Sequence, residues 1–214
     1  TAKRWAMVID TRLFRGPEDY EPLIEACHKV HNVPHIPGNQ DIKWFWLDKY
    51  ERVFPDDMNA HINDKTRQAS YPLLCNHCTN PPCVRVCPTQ ATYRMEDGIV
   101  AMDYHRCIGC RFCMAGCPYG ARSFNFVDPR KYLSDPVPNP TFPTRMIGVV
   151  EKCTFCAERL AAGQMPACVE AAGGKILFGD LEDPNSTVRQ ALAANYSIRR
   201  KPNLGTQPGV YYLI

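Results

Sequence analysis

Cysteine recurs along this chain at spacings that leave the backbone little freedom. Cys75-x2-Cys78-x4-Cys83-x3-Cys87-Pro88 is followed by Cys107-x2-Cys110-x2-Cys113-x3-Cys117-Pro118. Farther on come Cys153-x2-Cys156-x11-Cys168, which lacks a fourth member, and a solitary Cys27 near the start. A cubane needs four thiolates converging on one small inorganic core. A C-x2-C-x2-C loop takes three corners in one tight turn whose amide N–H groups face the core, so the fourth corner must come from elsewhere. In such runs the first three cysteines hold one iron–sulfur cluster, and the fourth, just before proline, crosses to another. The proline then bends the chain away. The pattern therefore implies several iron–sulfur clusters and a chain that moves electrons.

Rival chemistries fit less well. Disulfides suit an even count, but 12 cysteines in 214 residues are sparse for a stapled scaffold, and the chain is long enough to bury its own core. Zinc prefers paired C-x2-C knuckles without a third cysteine and a Cys-Pro ending. The haem-attachment motif C-x-x-C-H is absent, because Thr79, Arg111, Met114 or Ala157 follows each C-x-x-C. No radical C-x3-C-x2-C loop, G-x-G-x-x-G, P-loop or nucleophile elbow is present, so flavin, nicotinamide and hydrolytic chemistry lack a motif. Two other classes stay open on spacing alone: a structural metal or disulfide protein, and a catalytic subunit whose cluster has a non-cysteine ligand.

The formal charge of +3 does not indicate a nucleic-acid partner. Each [4Fe–4S] core with four thiolates brings about −2, so three would take the loaded chain to roughly −3. Arg85, Arg106, Arg111, Arg122, Lys152 and Arg159 stand beside the cysteine runs, where they can offset that charge. No basic block with interleaved aromatics occurs. No apolar run approaches the roughly 20 residues of a membrane helix, Met146 to Val150 being the longest candidate, and no signal segment is visible.

Patterning organises the rest. Residues 5–10 read as a buried strand, and 19–31 as a helix with Leu23, Ile24, Cys27 and Val30 on one side. Asn32 to Pro37 breaks that helix, residues 42–52 read as a second strand, and 55–70 as polar loop. Between 75 and 127 the sequence repeats itself: a cysteine run, Cys-Pro-x-x-Ala, then a strand (residues 92–95 and 122–126), with Glu96-Asp97-Gly98 turning into Ile99–Met102 as a hairpin. Five prolines mark 128–143 as a surface loop. A helix is expected over 153–162 with Gly163 as its stop, a strand over 175–178, a helix over 187–195 capped by Ser186, and a strand over 210–213.

His77, inside Cys75-x-x-Cys78, reads as a hydrogen-bond donor to sulfur rather than a ligand. His28, His31 and His35 read as packing or surface residues. Trp44 and Trp46, two apart, share one face of a strand and read as core or subunit interface.

These motifs resemble the four-cluster iron–sulfur (beta) subunits of membrane-bound molybdopterin oxidoreductases, such as the dimethyl sulfoxide and polysulfide reductases. The resemblance also rests on Cys75-Asn76-His77-Cys78, Asp97-Gly98-Ile99-Val100, Cys107-Ile108-Gly109-Cys110, the segment 178–186 and Tyr211-Tyr212-Leu213. It implies an α+β fold of two ferredoxin-like modules of βαββαβ type with loop-rich insertions. The inner, two-cluster module would span 70–127. The outer would combine 1–69 with 144–185, 128–143 would be a Pro-rich loop, and 186–214 a C-terminal helix and strand extension. The implied function is electron relay, with substrate chemistry on other subunits.

Under the cross-ligation of that family, Cys75, Cys78, Cys83 and Cys117 hold one [4Fe–4S] cluster, and Cys87, Cys107, Cys110 and Cys113 a second. Cys27, Cys153, Cys156 and Cys168 hold a third, or Cys27 is free and the outer cluster is [3Fe–4S]. Where the family has four further ligands, this chain has Pro17, Tyr20, Leu23 and Ala172. All four departures fall on one cluster, so the resemblance implies three clusters instead of four. Glu25-Ala26-Cys27-His28, Asn32-Val33-Pro34 and the segment 120–130 make the chain look like the ferredoxin-like subunit of the membrane redox complex linked to dissimilatory sulfite reduction. That likeness implies a peripheral place on the extracytoplasmic (periplasmic) face after twin-arginine export, a polytopic quinone-interacting membrane partner and a multihaem cytochrome c partner.

Overall fold

The computed structural model describes residues 4–57 and 60–214. Residues 1–3, 58 and 59, which belong to the expected outer module and the polar 55–70 stretch, lie outside that description.

The chain opens on β1 (Trp5–Asp10), where Ala6, Met7, Val8 and Ile9 are all buried. A strand apolar on both faces must be covered on both faces. After a 3₁₀ turn at Pro17–Tyr20 comes α1 (Glu21–Val30), with Pro22 in its first turn, where its missing N–H costs nothing. β2 (Phe45–Lys49) runs into α2 (Tyr50–Val53), and α3 (Asp64–Gln68), capped by the Asn63 side chain, leads into β3 (Ser70–Leu74).

The cysteine-rich middle alternates short helices and ribbons: α4 (Pro82–Arg85), β4 (Thr92–Arg94), β5 (Val100–Met102), α5 (Phe112–Ala115), β6 (Ser123–Phe124) and β7 (Val150–Glu151). Then follow α6 (Ala157–Ala161), α7 (Ala167–Ala171), β8 (Ile176–Asp180), α8 (Thr187–Ala194), β9 (Ser197–Ile198) and β10 (Val210–Leu213).

The largest sheet has the order β8-β1-β10-β9, with β1 antiparallel to β8 and parallel to β10. One face carries Ala6, Val8 and Leu213 against Val188 of α8. The other carries Met7, Ile9, Ile176, Phe178, Val210 and Tyr212 into the main core, which also contains Cys27, Cys75, Cys78, Cys153 and Cys168. The sheet is thus the floor on which several cysteine loops rest. The C-terminal strand is integral to that floor, because β10 lies between β1 and β9.

Three two-stranded ribbons complete the fold: β2 with β3, β4 with β5 and β6 with β7, all antiparallel. The hairpin between β4 and β5 turns through Gly98 at φ +87°, in the left-handed region that glycine enters freely. Short helices and small sheets alternate along the chain, a mixture compatible with an α+β ferredoxin-like fold.

Several boundaries differ from the sequence reading. The strand expected over 42–52 ends at Lys49, and the chain coils into α2. The expected loop over 55–70 contains α3, and β3 follows it despite Pro72. A proline lacks one ladder donor, which a two-stranded ribbon tolerates; here the Pro72 carbonyl is used instead, accepting the Tyr212 hydroxyl at 2.9 Å. The helix expected from Cys153 begins only at Ala157, because Phe155 and Cys156 have positive φ. Residues 128–143, expected as a Pro-rich loop, contain a 3₁₀ turn at Pro129–Tyr132 with Pro129 buried, and the segment is anchored: the Asn32 amide donates to the carbonyls of Asn139 and Phe142 at 2.7 Å each.

Candidate metal centre

All twelve cysteines are free thiols, none paired in a disulfide. Cys75, Cys78, Cys83 and Cys117 line a single cavity with Asn76, Val100, Tyr119 and Arg122. Burial is the main force that pushes the Cys78 thiol up to about 12, reinforced by Cys75, Cys83 and Cys117 beside it, while the Thr206 hydroxyl pulls it down. Cys75 and Cys78 flank a loop in which His77 takes φ +41°; Cys83 lies in α4, and Cys117 comes back from the end of the second run.

A second group forms around the β4–β5 ribbon. Cys83 and Cys113 pack with Val100, Met102 and Val150, and Cys87 and Cys107 pack on that cluster. Cys113 lies in α5, Cys110 is half-buried just before it, and Cys107 opens the loop. Burial raises the Cys113 thiol, with Arg122 opposing and Cys107 and Cys83 adding to the rise. Cys87 is the exception: burial would raise it, but hydrogen bonds from Thr92, Thr89 and Ala91 bring it below its ordinary value. The Gly109 backbone (φ +70°) approaches Gly148 so closely that a Cβ would lie 2.4 Å from the Gly148 carbonyl oxygen.

The third group joins distant parts of the chain. Cys27 sits on the buried face of α1, which packs against α7, the helix carrying Cys168. Burial raises the Cys27 thiol well above its ordinary value, and its nearest charge partners are Cys153, Cys168 and Cys156. Backbone N–H groups of Phe155 and Ala167 point at the sulfurs of Cys153 and Cys156, 3.4 Å away in each case. Burial likewise pushes Cys153 and Cys168 up to about 12. The groups adjoin one another: Cys83 neighbours Cys113, and Cys75 neighbours Cys153.

This donor chemistry fits iron–sulfur cores. Thiols converging in a dry interior resist ionisation by themselves, so a cationic core that displaces their protons supplies the missing counter-charge. The cavity wall also carries polar atoms that no protein group satisfies. Both amide atoms of Asn76 and Nη2 of Arg122 are buried without a hydrogen-bond partner. Inorganic sulfide and thiolate sulfur are acceptors of the kind those N–H donors lack.

His77 was expected to donate to sulfur. Its Nδ1 accepts the Val100 N–H at 3.1 Å, and its ring stacks on Phe155 with centroids 3.7 Å apart. Nε2 faces the Cys153 carbonyl without closing a well-formed hydrogen bond to it. Burial, aided by the Lys152 charge, holds the imidazole well below its ordinary pKa, hence neutral.

The resemblance expected no ligand at Pro17, Tyr20, Leu23 and Ala172. Tyr20, Leu23 and Ala172 are core residues, Tyr20 stacks on Phe14 at 4.1 Å, and Pro17 is exposed.

Three features escaped the sequence reading. His31, expected as ordinary packing, is fully buried beside the third group, its Nδ1 2.8 Å from the Cys27 carbonyl and Nε2 2.9 Å from Glu158. His31, Cys156 and Glu158 bring their donor atoms within 4.8 Å of one another. The clue was spacing: His31 stands one helical turn after Cys27. Thr206 and Gly209, in the expected extension, close over the Cys75–Cys78 loop, where Gly209 donates to the Asn76 carbonyl at 2.7 Å. Nothing local in their sequence marks them. Trp44 and Trp46 were expected on one strand face as core or subunit interface; Trp44 lies just before β2 and is fully buried, while Trp46 is half-buried on β2.

Residues 67–129 match the 4Fe-4S dicluster domain family. The chain is 42% identical to the Hdr-like menaquinol oxidoreductase iron-sulfur subunit 1 of Archaeoglobus fulgidus, over 98% of this chain and 83% of that protein. It is 42% identical to a component of the polysulfide reductase of Wolinella succinogenes, over 98% and 94% respectively. It is 37% identical to the iron-sulfur cluster-binding subunit of menaquinone reductase of Nitratidesulfovibrio vulgaris, over 98% and 88%. The chain therefore belongs to the family of iron–sulfur (beta) subunits of membrane-associated respiratory oxidoreductases. Subunits of this class relay electrons and leave substrate chemistry to their partners. Among the described residues no helix is long and apolar enough to cross a membrane.

Proposed function

We propose that the chain holds three [4Fe–4S] clusters and relays electrons between a quinone-interacting membrane subunit and a cytochrome c or other redox partner. The complex would serve respiratory sulfur metabolism on the periplasmic face. Cys75, Cys78, Cys83 and Cys117 would hold the middle cluster. Cys87, Cys107, Cys110 and Cys113 would hold one flanking cluster, and Cys27, Cys153, Cys156 and Cys168 the other. Residues 70–127 would be the inner module, with the third cluster in a module built from the flanking segments.

The observation that carries this reading is that Cys27, from α1, packs in one core cluster with Cys153 and Cys168, with α1 lying against the helix that carries Cys168. It favours four ligands at the outer site over a three-iron centre with Cys27 free. Bound clusters would supply one-electron redox chemistry at potentials that, for iron–sulfur clusters in general, span roughly −700 to +450 mV. The chain's own part is to hold them, exclude water and offset charge. The sulfur-metabolism assignment draws on relatives such as the polysulfide reductase component. A molybdopterin enzyme as catalytic partner is the second reading, which draws on the resemblance to dimethyl sulfoxide reductases and on the similarity to a putative dimethyl sulfoxide reductase iron-sulfur subunit of Halobacterium salinarum, 46% identical over 88% of this chain and 71% of that protein.

Anaerobically purified protein is expected to contain about 12 iron and about 12 acid-labile sulfide per chain. A content near 16 iron, or a zinc-only colourless preparation, would overturn the three-cluster reading. An isotropic oxidised EPR signal near g ≈ 2.01 that survives in Cys27→Ser would establish the three-iron alternative at the outer site.

A further inference from the structure

Two buried cations occupy the two gaps between the cysteine groups. Arg122 is only 5% exposed. Its Nη1 donates to Thr92 Oγ1 at 2.8 Å and leans on Met102 Sδ at 3.8 Å. Its Nη2 closes no well-formed hydrogen bond, the side chain lies beside the Cys83 and Cys113 thiols, and the residue lines the cavity of Cys75, Cys78, Cys83 and Cys117. Met102 packs with both Cys83 and Cys113, so the guanidinium stands where the first and second groups meet.

Lys152 mirrors it on the other side. It is 0% exposed, and its ammonium donates to the carbonyls of Val100 and Cys153, the latter at 2.8 Å. Val100 lines the first cavity, and Cys153 belongs to the third group. Among the described residues, each gap thus contains one buried basic side chain. Arg85, Arg106 and Arg111 stand by the second group but are exposed, where water and salt screen them.

We propose, resting on the three-cluster reading, that Arg122 and Lys152 set the redox ladder: each raises the reduction potential of the two clusters it separates, so the middle cluster is raised from both sides. Reduction adds one negative charge to a cluster, and a fixed cation nearby in a low-dielectric site favours the reduced form. Water cannot reorganise to cancel the effect there. An electron entering from either end then meets its most favourable site in the middle. These are positioning residues that touch no substrate.

The test is an EPR-monitored redox titration of the anaerobically purified holoprotein after iron and sulfide analysis. Arg122→Gln is expected to lower two of three midpoints by at least tenfold in the reduction equilibrium, about 59 mV for a one-electron couple, and to leave the third in place. Lys152→Gln should lower a different pair, the middle cluster being common to both. Arg122→Lys and Lys152→Arg should stay near the wild type, and exposed Arg106→Gln should move nothing.

Unchanged midpoints in iron-replete Arg122→Gln and Lys152→Gln would overturn the proposal. So would equal drops in the charge-keeping variants, which would mark packing and not charge as the cause. If one neutral variant loses iron, the other decides. If both lose iron, the charge-keeping Arg122→Lys and Lys152→Arg decide: iron-replete with wild-type midpoints they support the proposal, and lost iron or lowered midpoints overturn it. Wild-type iron departing from three clusters would defeat the underlying reading instead, before any midpoint is compared.

Discussion

The His77 ring lies against the Phe155 ring, centroids 3.7 Å apart and planes 17° from parallel. This one contact joins the first cysteine run to the last. Phe155 continues edge-on to Phe178 of β8, at 5.2 Å, so the stack also ties both loops to the sheet floor. Phe155 is fully buried. Phe155→Ala should therefore cost about 3–5 kcal/mol, the usual range for emptying a buried aromatic site, and Phe155→Leu clearly less. Chemical denaturation followed by near-UV circular dichroism checks the order. Equal midpoints for the two variants would show that the stack carries no stability.

Arg145 and Glu151 form an ion pair at 2.7 Å with both side chains essentially inaccessible. Glu151 also accepts from Trp44 Nε1 at 2.8 Å and Asn125 Nδ2 at 2.7 Å, and Arg145 donates to the carbonyls of His31 and Asn32. Breaking such a pair leaves a buried charge uncompensated, so Arg145→Ala should destabilise by about 3–5 kcal/mol. Because Arg145 grips His31 and Asn32, partial unfolding should begin where α1 meets the 128–148 loop. Hydrogen exchange would locate it; protection lost first around β4 and β5 would contradict this.

The elements most legible in the sequence are those fixed by near neighbours. Ser186 caps α8 through its side chain, accepting from the Arg189 N–H at 3.3 Å; a cap needs only residues three apart. β1 showed as a continuous apolar run, and the hairpin at Gly98 showed by its turn residues. The thiol groupings could be proposed because ligand spacing reflects a geometry the core imposes. What stayed hidden is long-range. Nothing local says that Thr206 will lie by Cys78, or that Pro72 can sit in β3. Arg122 and Lys152 looked like any charge beside a cysteine, since burial follows from packing and cannot be read from their neighbours. The helix before Cys156 failed to form because Phe155 and Cys156 take left-handed backbone angles that turn sulfurs inward.

Tyr212 gives an alkaline signature. Burial pushes its hydroxyl up to about 12, with the Arg200 charge opposing. A group whose folded pKa is raised contributes stability that is complete below the unfolded value, near 10, and is lost as pH rises towards the folded value. Two units correspond to about 2.7 kcal/mol between pH 10 and 12. Tyr212→Phe loses the hydrogen bond to Pro72 at every pH but removes this titration. Its unfolding free energy should fall less steeply over that window. Parallel curves for the two proteins would refute the assignment.

Gly109 tests the loop that carries Cys107 and Cys110. It combines φ +70° with a backbone approach of 2.4 Å from a would-be Cβ to the Gly148 carbonyl oxygen. An alanine meets both obstacles, and neither neighbour is a flexible side-chain tip. Strain of this kind costs on the order of 1–3 kcal/mol for the backbone alone. Gly109→Ala should lower the thermal midpoint and the iron content together. Gly120→Ala, where φ is +63° but no atom lies within 4 Å of the Cβ, should cost only the backbone part. If the two behaved alike, the close approach to Gly148 would be irrelevant.

Cys27 decides whether α1 belongs to the outer site at all. It is one helical turn from His31, buried, and faces three thiols from the far end of the chain. Serine at that position keeps the size of the side chain and removes the sulfur, so packing of α1 against α7 should survive. Cys27→Ser is then expected to lose the outer cluster or hold it as three irons, leaving between about 8 and about 11 irons per chain while the other two clusters stay intact. Cys83→Ser removes a thiol of the middle group, which adjoins both others, and should cost more iron and interrupt reduction of the remaining centres by an added donor. Elemental analysis with EPR of the reduced proteins separates the two variants. Twelve irons with unchanged spectra in Cys27→Ser would remove α1 from the site.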